Sequence, residues 1–230
     1  MLENRSYQRE LLDEEHIEPS LLFQNLKELN FINRYLGGHR ISVKGISRLL
    51  KKHSDIQHLM DIGCGGGDAL MAMYSWSDKH KKNLRFTGAD LKADCITYAK
   101  KYCAGIPTIQ FRQEDFRTVL NTDSTVSAVH AALFFHHFTE EEIIQFLRTC
   151  REHKVAVVIN DLERNVLAYY SIKILTRLFS SSPLVKNDAP LSVARGFKKK
   201  EWKAILKAAE INNYEIESCW AFRHLIVIYP

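Results

Sequence analysis

Features of several specialised protein classes are missing from this chain of 230 residues. No apolar run approaches the ~20 residues that a membrane-crossing helix needs. The opening segment MLENRSYQRELLDEEH is polar and acidic, whereas a secretory signal needs a basic start followed by an apolar stretch. Internal repeats and low-complexity linkers are missing as well. We therefore expect an intracellular, cytoplasmic protein, and nothing in the pattern predicts two independent domains.

Cysteine is sparse, and its five residues never form a C-x-x-C pair. They stand far apart, at Cys64, Cys95, Cys103, Cys150 and Cys219. Structural zinc sites and the disulfide frameworks of small domains depend on paired or regularly spaced cysteines. We therefore expect reduced thiols, no disulfide framework and no metal site.

A strong charge of either sign is also missing, since the formal net charge is only +5. This mild basic excess permits attraction to anionic surfaces but falls short of a nucleic-acid-binding signature. Hydrophobic residues make up 46% and charged residues 26% of the chain, which is ordinary globular composition. A nucleic-acid partner is not expected, and no feature of the sequence sets an oligomeric state.

From residue 57 onward, short apolar runs alternate with helical patterns, which is typical of a parallel sheet covered by helices. The predicted strands are 58–63, 84–90, 108–115, 125–133, 155–161, 214–220 and 222–230, and candidate helices lie near 68–77, 93–103 and 139–152. Thr139 followed by Glu142 fits a capping box at the start of the last of these helices. The final two strands are too close for a crossover helix, so they must form an antiparallel hairpin at one edge of the sheet.

Two segments stand outside this alternation. Residues 1–56 are predicted to be helical and to form an N-terminal cap ahead of a main domain at 57–230. Four leucines share one helical face, Pro19 fits a first turn and Gly37 with Gly38 provides the stop. The leucines are Leu22, Leu26, Leu29 and Leu36. Residues 163–200 form a lid-like insertion after the fifth strand, and both segments are candidates to cover the carboxyl edge of the sheet, where open α/β folds bind ligands.

The stretch LMDIGCGGGDAL, at 59–70, carries the chemistry. An apolar strand ends in Asp61, and a glycine-rich loop then leads into a helix near Asp68. Glycines keep such a turn tight and let a ligand approach the backbone. The dinucleotide fingerprint G-x-G-x-x-G lacks its third glycine here, because Asp68 or Leu70 stands at that position. An acid at the helix start would repel a pyrophosphate but suits a ligand with an amino group and a sulfonium, which disfavours a nicotinamide-dependent oxidoreductase.

D-I-G-C-G-G-G resembles the first motif of class I S-adenosylmethionine-dependent methyltransferases, an acid followed by G-x-G-x-G. The resemblance spans about 56–162 and 198–230, and it implies a Rossmann-like, mostly parallel sheet with an antiparallel edge hairpin. It implies S-adenosylmethionine as the cofactor, with Asp90 at the ribose hydroxyls and Asp115 near the adenine. The cofactor-binding residues that it implies are Asp61, Gly63, Cys64, Gly65, Gly67, Asp90, Leu91, Asp115 and Phe116.

Histidines follow the fourth strand in the stretch LFFHHF, which is similar to small-molecule members of that family. His136 and His137 are the candidate catalytic residues, because an imidazole there could take a proton from a substrate hydroxyl. The alternative is that the pair leads into the capped helix, with one ring packed beneath the cofactor. His130, in mid-strand, is predicted to be a core histidine whose ring nitrogens are hydrogen-bonded.

The acceptor is expected to be a small molecule. An N-P-P-Y-like stretch after the fourth strand and a cysteine placed for attack on pyrimidine C5 are both missing. The segment AYYSIKILTRLF, which includes Tyr169, fits a core helix, the wall of an apolar pocket, or a patch that rests on a membrane. Similarity to a bacterial subgroup acting on phenolic polyketides or quinone-type rings implies further residues at the pocket mouth. They are Asn33, Arg34, Asp188 and Arg195.

These observations favour O-methylation, over N- or C-methylation, of a hydroxylated aromatic or lipidic small molecule. They are also compatible with peripheral membrane contact. Methylation of RNA or protein is one alternative. A non-catalytic cofactor-binding module and a nicotinamide-dependent oxidoreductase are the others.

Overall fold

The computed structural model describes residues 2–230 and contains a seven-stranded sheet in the order β3-β2-β1-β4-β5-β7-β6. The strands are β1 His58–Ile62, β2 Arg85–Asp90, β3 Ile109–Gln113, β4 Ala128–Ala132, β5 Ala156–Leu162, β6 Tyr214–Cys219 and β7 Arg223–Ile228. The first five strands are parallel, and β7 runs antiparallel to both β5 and β6. This arrangement confirms the predicted mostly parallel sheet with an antiparallel edge hairpin.

Helices cover both faces of this sheet. They are α1 Pro19–Tyr35, α2 Gly38–Lys52, α3 Asp68–Lys79, α4 Ala93–Tyr102, α5 Val119–Thr122, α6 Glu140–Glu152, α7 Val166–Phe179, α8 Pro183–Arg195 and α9 Lys199–Ala208. One core layer lies beneath α5, α6 and α9, and the other lies beneath α2, α3 and α4. All five residues of β1 are buried, as expected for a central parallel strand covered on both sides.

The start of α6 matches the predicted capping box. The Thr139 hydroxyl accepts a hydrogen bond from the Glu142 amide, and the Glu142 carboxylate accepts one from the Thr139 amide. Three glutamates in the first turn also suit the positive end of the helix dipole. This cap fixes where the chain leaves the loop that carries the two candidate histidines.

The prediction of helices throughout the N-terminal segment is wrong for residues 2–18, which form only the 3-10 turn Leu11–Asp13 before α1 begins at Pro19. The two helices that follow have different surroundings. Helix α2 packs against α3, β5 and β7, so it covers a face of the sheet rather than the strand ends. Helix α1 packs against α4 and α8, and its Leu29 reaches the carboxyl edge of the sheet. The domain boundary between residues 56 and 57 therefore stays a prediction.

Residues 163–200 form α7, α8 and the first turn of α9. Helices α7 and α8 pack against each other, and α8 also packs against α1. Short 3-10 turns at Leu11–Asp13 and Phe135–His137 contact α8 from the other side. Within residues 2–230, none of the helices combines the length and the apolar content needed to span a bilayer.

Candidate active site

The glycine loop between β1 and α3 is built on left-handed backbone. Gly63, Gly65 and Gly67 have φ values of +60°, +50° and +77°, a region that favours glycine. A Cβ atom at Gly63 would lie 2.1 Å from the Phe134 ring. At Gly65 the nearest heavy atom of the described chain would be Leu26 Cδ2, at 3.5 Å. Gly63 is therefore required by packing, whereas Gly65 faces open space that a ligand can enter.

Asp90, at the end of β2, fixes this loop. Its two carboxylate oxygens accept hydrogen bonds from the amides of Gly65 and Lys92, each at 2.9 Å. Burial raises the pKa of Asp90, and the two amide hydrogen bonds oppose that rise. The carboxylate thus stands beside the glycine loop, where the family resemblance implies contact with ribose hydroxyls.

Asp61, at the end of β1, is oriented by a buried histidine. Its Oδ1 lies 2.6 Å from Nδ1 of His130, whose Nε2 lies 2.9 Å from the Ser42 hydroxyl. The imidazole of His130 is fully buried, and both of its nitrogens have partners, which confirms the predicted core histidine. The pair holds the motif acid in one rotamer at the floor of the site.

A cavity of about 360 Å³ lies over the glycine loop. Of the residues that the structure describes, only two lysine or arginine residues line it, Lys92 and Arg117. Its acidic lining residues are Asp13, Asp61, Asp68, Asp90, Glu114 and Asp115. Such a lining favours a ligand that carries a sulfonium and an ammonium group, and it opposes a pyrophosphate. The open cradle at Gly65 and this donor set therefore fit S-adenosylmethionine.

Eight of the nine predicted cofactor residues line this cavity: Asp61, Gly63, Cys64, Gly65, Asp90, Leu91, Asp115 and Phe116. The ninth, Gly67, lies behind the loop, where a Cβ would contact Phe111, Ala99 and Cys103 at 3.2–3.3 Å. Asp115 is two residues beyond the end of β3 and accepts hydrogen bonds from the backbone and side chain of Arg117. Most of the predicted cofactor residues therefore line this cavity, whereas Gly67 allows the loop to pack on α4.

A second cavity of about 520 Å³ adjoins the first. Its walls come from α1, α7, α8 and the turn between β6 and β7, and they are mostly apolar. The apolar wall residues include Ile32, Leu36, Leu162, Ile172, Leu175, Val185, Val193, Trp220 and Phe222. Four residues line both cavities: Leu12, Leu29, Leu133 and His137. We call this shared boundary the junction.

The backbone at the junction is strained at Leu133, which has a φ of +51° directly after β4. A bulky residue rarely adopts this left-handed conformation, and the cost is on the order of 1–2 kcal/mol. The Leu133 amide still donates to the Asn160 carbonyl oxygen at 3.0 Å. The surrounding sheet therefore holds this turn in place, and the turn points the following histidines toward the cavities.

His136 and His137 each have one ring nitrogen next to a carboxylate. Nδ1 of His136 lies 2.7 Å from Asp161, and Nδ1 of His137 lies 2.8 Å from Asp13. Burial opposes ionisation of Asp161, but the charge and hydrogen bond of His136 hold its pKa below the usual range. Burial likewise opposes ionisation of Asp13, and its bonds with His137 and Arg195 lower its pKa well below the usual value. Both rings are therefore fixed by ionised carboxylates.

Glu10 completes this group and was not identified from the sequence. Its side chain is buried beside both imidazoles, and burial raises the pKa of Glu10 to about 7. Glu10 and Asp13 belong to the polar, acidic N-terminal segment. The pattern of two acids around two leucines, residues 10–13, is common and indicates no function by itself. Its role becomes visible only in the fold, where this turn packs against α8 and the two histidines.

The predicted substrate residues are spread over different places. Asn33 lines the cofactor cavity, and Asp188 lines the apolar cavity while accepting hydrogen bonds from the Leu11 and Leu12 amides. Neither cavity within residues 2–230 is lined by Arg34, Tyr169 or Arg195. Arg34 is exposed at the end of α1, and Tyr169 packs against Tyr170.

Arg195 has a supporting position instead. It is buried, and its guanidinium donates to the His136 and His137 carbonyl oxygens at 3.1 and 2.8 Å. It also donates to Asp13 at 2.7 Å. The side chain therefore joins α8, the histidine turn and the N-terminal segment.

Comparison with known proteins agrees with this geometry. The family model described as "Methyltransferase domain" matches residues 59–154. The fold is similar to that of plantazolicin methyltransferase BpumL in complex with SAH, with a TM-score of 0.64, 17% identity and coverage of 92% of this chain and 95% of that one. No curated protein matches the sequence.

Two further solved structures share the fold. A SAM dependent methyltransferase from Aquifex aeolicus has a TM-score of 0.60 and 16% identity, with coverage of 93% of this chain and 98% of that one. The CMeT domain of the citrinin polyketide synthase has a TM-score of 0.56 and 14% identity, with coverage of 75% of this chain but only 46% of that one. The matched domain, the acid-lined cavity over the glycine loop and the strand order all indicate a methyltransferase. Residues 59–154 are a methyltransferase domain, the fold is that of class I S-adenosylmethionine-dependent methyltransferases, and S-adenosylmethionine is the cofactor that the acid-lined cavity fits.

Proposed function

We propose that the enzyme transfers a methyl group to the hydroxyl oxygen of an apolar, aromatic small molecule bound in the second cavity. The observation that carries this proposal is the junction, where His137 borders both the acid-lined and the apolar cavity. A ring seated among the apolar side chains would present a hydroxyl there. Pockets for small molecules commonly combine such apolar walls with a few placed polar groups.

The cofactor supplies a methyl group activated on a sulfonium, so the chain's own task is to bind, orient and exclude water. Asp90 and the glycine loop hold the donor side, and Leu133 with Leu29 separates the two cavities. The Nε2 side of His137 directs the acceptor hydroxyl to the junction, because its Nδ1 is already held by Asp13. Orientation of this kind supplies on the order of 7–11 kcal/mol of a bimolecular barrier.

A series of 4-alkylphenols of increasing chain length tests this assignment. Each methylene buried against the apolar walls contributes about 0.8 kcal/mol, so kcat/KM should rise three- to fourfold per carbon until the cavity is full. Labelled S-adenosylmethionine and product identification by mass spectrometry report the methyl ether. The corresponding 4-alkylanisoles, which lack the hydroxyl, serve as the matched control. Transfer to the anisoles, to RNA or to protein instead of the phenols would contradict the proposal.

We also propose that α7 contacts an anionic lipid surface, from which an apolar acceptor can enter. Its inner face, with Ile172, lines the apolar cavity. The outer face carries Leu178 and Phe179, which are 69% and 80% exposed, together with exposed Lys173 and Arg177. An apolar face with basic residues is typical of helices that lie on anionic membranes. The unpaired thiols of all five cysteines support the cytoplasm as the compartment.

A further inference from the structure

Three side chains at the apolar cavity surround one small space. A carboxylate oxygen of Glu10 and a ring nitrogen each of His136 and His137 all lie within 4.8 Å of one another. Oε1 of Glu10 is 3.6 Å from His136 Nε2, and Oε2 is 3.9 Å from His137 Nε2. Ligands that share a tetrahedral zinc ion at ~2.0–2.1 Å are about 3.3 Å apart, so these two separations need to shorten by well under an ångström.

Two of the atoms that face this space have no hydrogen-bond partner in the described chain, although they lie within 4 Å of each other. Glu10 Oε1 and His136 Nε2 are buried and form no hydrogen bond within residues 2–230, and their residues are only 3% and 1% exposed. Leaving a buried polar atom unpaired costs about 1–3 kcal/mol. Two such atoms aimed at each other indicate that a bound group belongs between them.

The outer nitrogens of both rings are arranged as in metal-binding histidines. Each Nδ1 faces a carboxylate, Asp161 for His136 and Asp13 for His137. A carboxylate can only accept, so Nδ1 of each ring donates to it, and in the neutral imidazole the Nε2 lone pair then points inward. Metal-ligating histidines nearly always donate their second N–H to such an oxygen acceptor.

The surrounding charge also suits a cation. Among the ion pairs of this group, three carboxylates (Glu10, Asp13 and Asp161) face one guanidinium, that of Arg195. Arg195 lies 3.7 Å from Glu10 but only 2.7 Å from Asp13, so its charge is mainly paired with Asp13. The guanidinium groups of Arg5 and Arg223 also act on Asp161. The carboxylate that remains for a cation is therefore that of Glu10, beside the two imidazoles.

We propose that Glu10, His136 and His137 bind one divalent transition-metal ion, with Zn²⁺ as the reference ion. Two imidazoles and a carboxylate are a donor set that such ions take while keeping a position open. All three side chains line the apolar cavity, so the open position faces it. There the ion, bound to His137 Nε2, holds the acceptor oxygen in place of a direct contact between that nitrogen and the hydroxyl. That role rests on the proposed function, whereas the binding of the ion does not. The sequence predicted no metal site because residue 10 is far from 136 and 137 along the chain.

Calorimetry with untagged, EDTA-treated protein and ZnCl₂ tests this site. We expect one ion per chain with a Kd in the micromolar range or below. Glu10→Gln and His137→Gln should each weaken binding at least tenfold, whereas Glu14→Gln, an exposed acid in the same segment, should leave it unchanged. Titration with S-adenosylhomocysteine verifies that each variant is folded. The visible spectrum of the Co²⁺-loaded wild-type protein reports nitrogen and oxygen ligands without any substitution.

Absence of saturable binding to the wild-type protein, or unchanged zinc affinity in a folded Glu10→Gln or His137→Gln variant, would overturn the site. If neither variant folds, the Co²⁺ spectrum decides, and a spectrum of hydrated Co²⁺ refutes the proposal. Methyl transfer to phenols that persists in EDTA, together with no zinc binding, would remove the metal site alone. Zinc binding without transfer to any phenol would remove the proposed acceptor alone.

Discussion

At the scale of single residues, comparing Gly65 with Gly105 distinguishes the effect of backbone strain from the effect of filling the cofactor cavity. Gly65 and Gly105 both have positive φ, +50° and +88°. Gly65 lines the cofactor cavity, whereas Gly105 has no heavy atom of the described chain within 4 Å of a built Cβ. A valine at either position destabilises the fold through the backbone by at least about 1–2 kcal/mol. At Gly65 the valine side chain also fills the space over the glycine loop that the cofactor enters.

We expect Gly65→Val to weaken S-adenosylhomocysteine binding at least tenfold, which corresponds to about 1.4 kcal/mol. Gly105→Val should keep the wild-type affinity while losing a comparable free energy of unfolding. Calorimetric titration and urea unfolding of both variants measure the two quantities. Wild-type affinity in Gly65→Val would mean that the cofactor does not lie against this loop.

Residues of the site differ in how far the sequence could identify them. Asp61, Gly65 and Asp90 lie at or just after the ends of β1 and β2, so a local motif is enough to identify them. Glu10 and Asp13 act through contacts with a turn more than a hundred residues away, which no local pattern encodes. The sequence predicts Arg195 at the pocket mouth, but four carbonyl and carboxylate acceptors hold it behind the histidines instead.

At the scale of helices and strands, the predicted elements agree closely with the observed ones, because their signals are local. Every predicted strand has an observed counterpart, and the Thr139 capping box marks the start of α6. The surface that a helix covers is less local. Helix α2 buries one face against β5 and β7, and this partner follows from the topology of the whole sheet.

Helix α7 carries a prediction about the membrane. Leu178→Lys with Phe179→Lys removes two exposed apolar side chains and adds two positive charges. If apolar contact holds α7 on the surface, binding to phosphatidylcholine–phosphatidylglycerol vesicles should fall at least tenfold, because burial of each such side chain contributes about 1.5–3 kcal/mol. Vesicle co-sedimentation measures the effect.

Ser75→Lys, at an exposed position of α3, is the control for added charge. A purely electrostatic attraction would make the α7 variant bind more tightly than the wild-type protein, and the Ser75→Lys variant likewise. Unchanged or tighter binding by the α7 variant would therefore exclude α7 as the membrane-contacting face.

At the scale of the whole molecule, the site exists because the topology brings separate segments to one edge. The strand order reverses direction between β1 and β4, which is where open α/β sheets bind ligands. The glycine loop approaches this edge from one strand end, the histidine turn from the next, and the segment around Glu10 from outside the sheet. Sequence patterns predicted the first two, since they belong to the sheet, and could not predict the third.

The acidic lining of the cofactor cavity predicts which ligands raise the Tm of the entire fold. A ligand that binds only the native state stabilises it by about 2.7 kcal/mol at a hundred times its Kd. For a chain of this size, that corresponds to a rise in Tm of about 5–10 °C. We expect this rise with S-adenosylhomocysteine and none with NADH, because the acid-lined cavity repels a pyrophosphate.

Asp90→Ala should reduce the rise in Tm with S-adenosylhomocysteine by removing the acceptor for the Gly65 amide. Differential scanning fluorimetry at matched ligand concentrations measures it, and a larger rise with NADH would assign the glycine loop to dinucleotides after all.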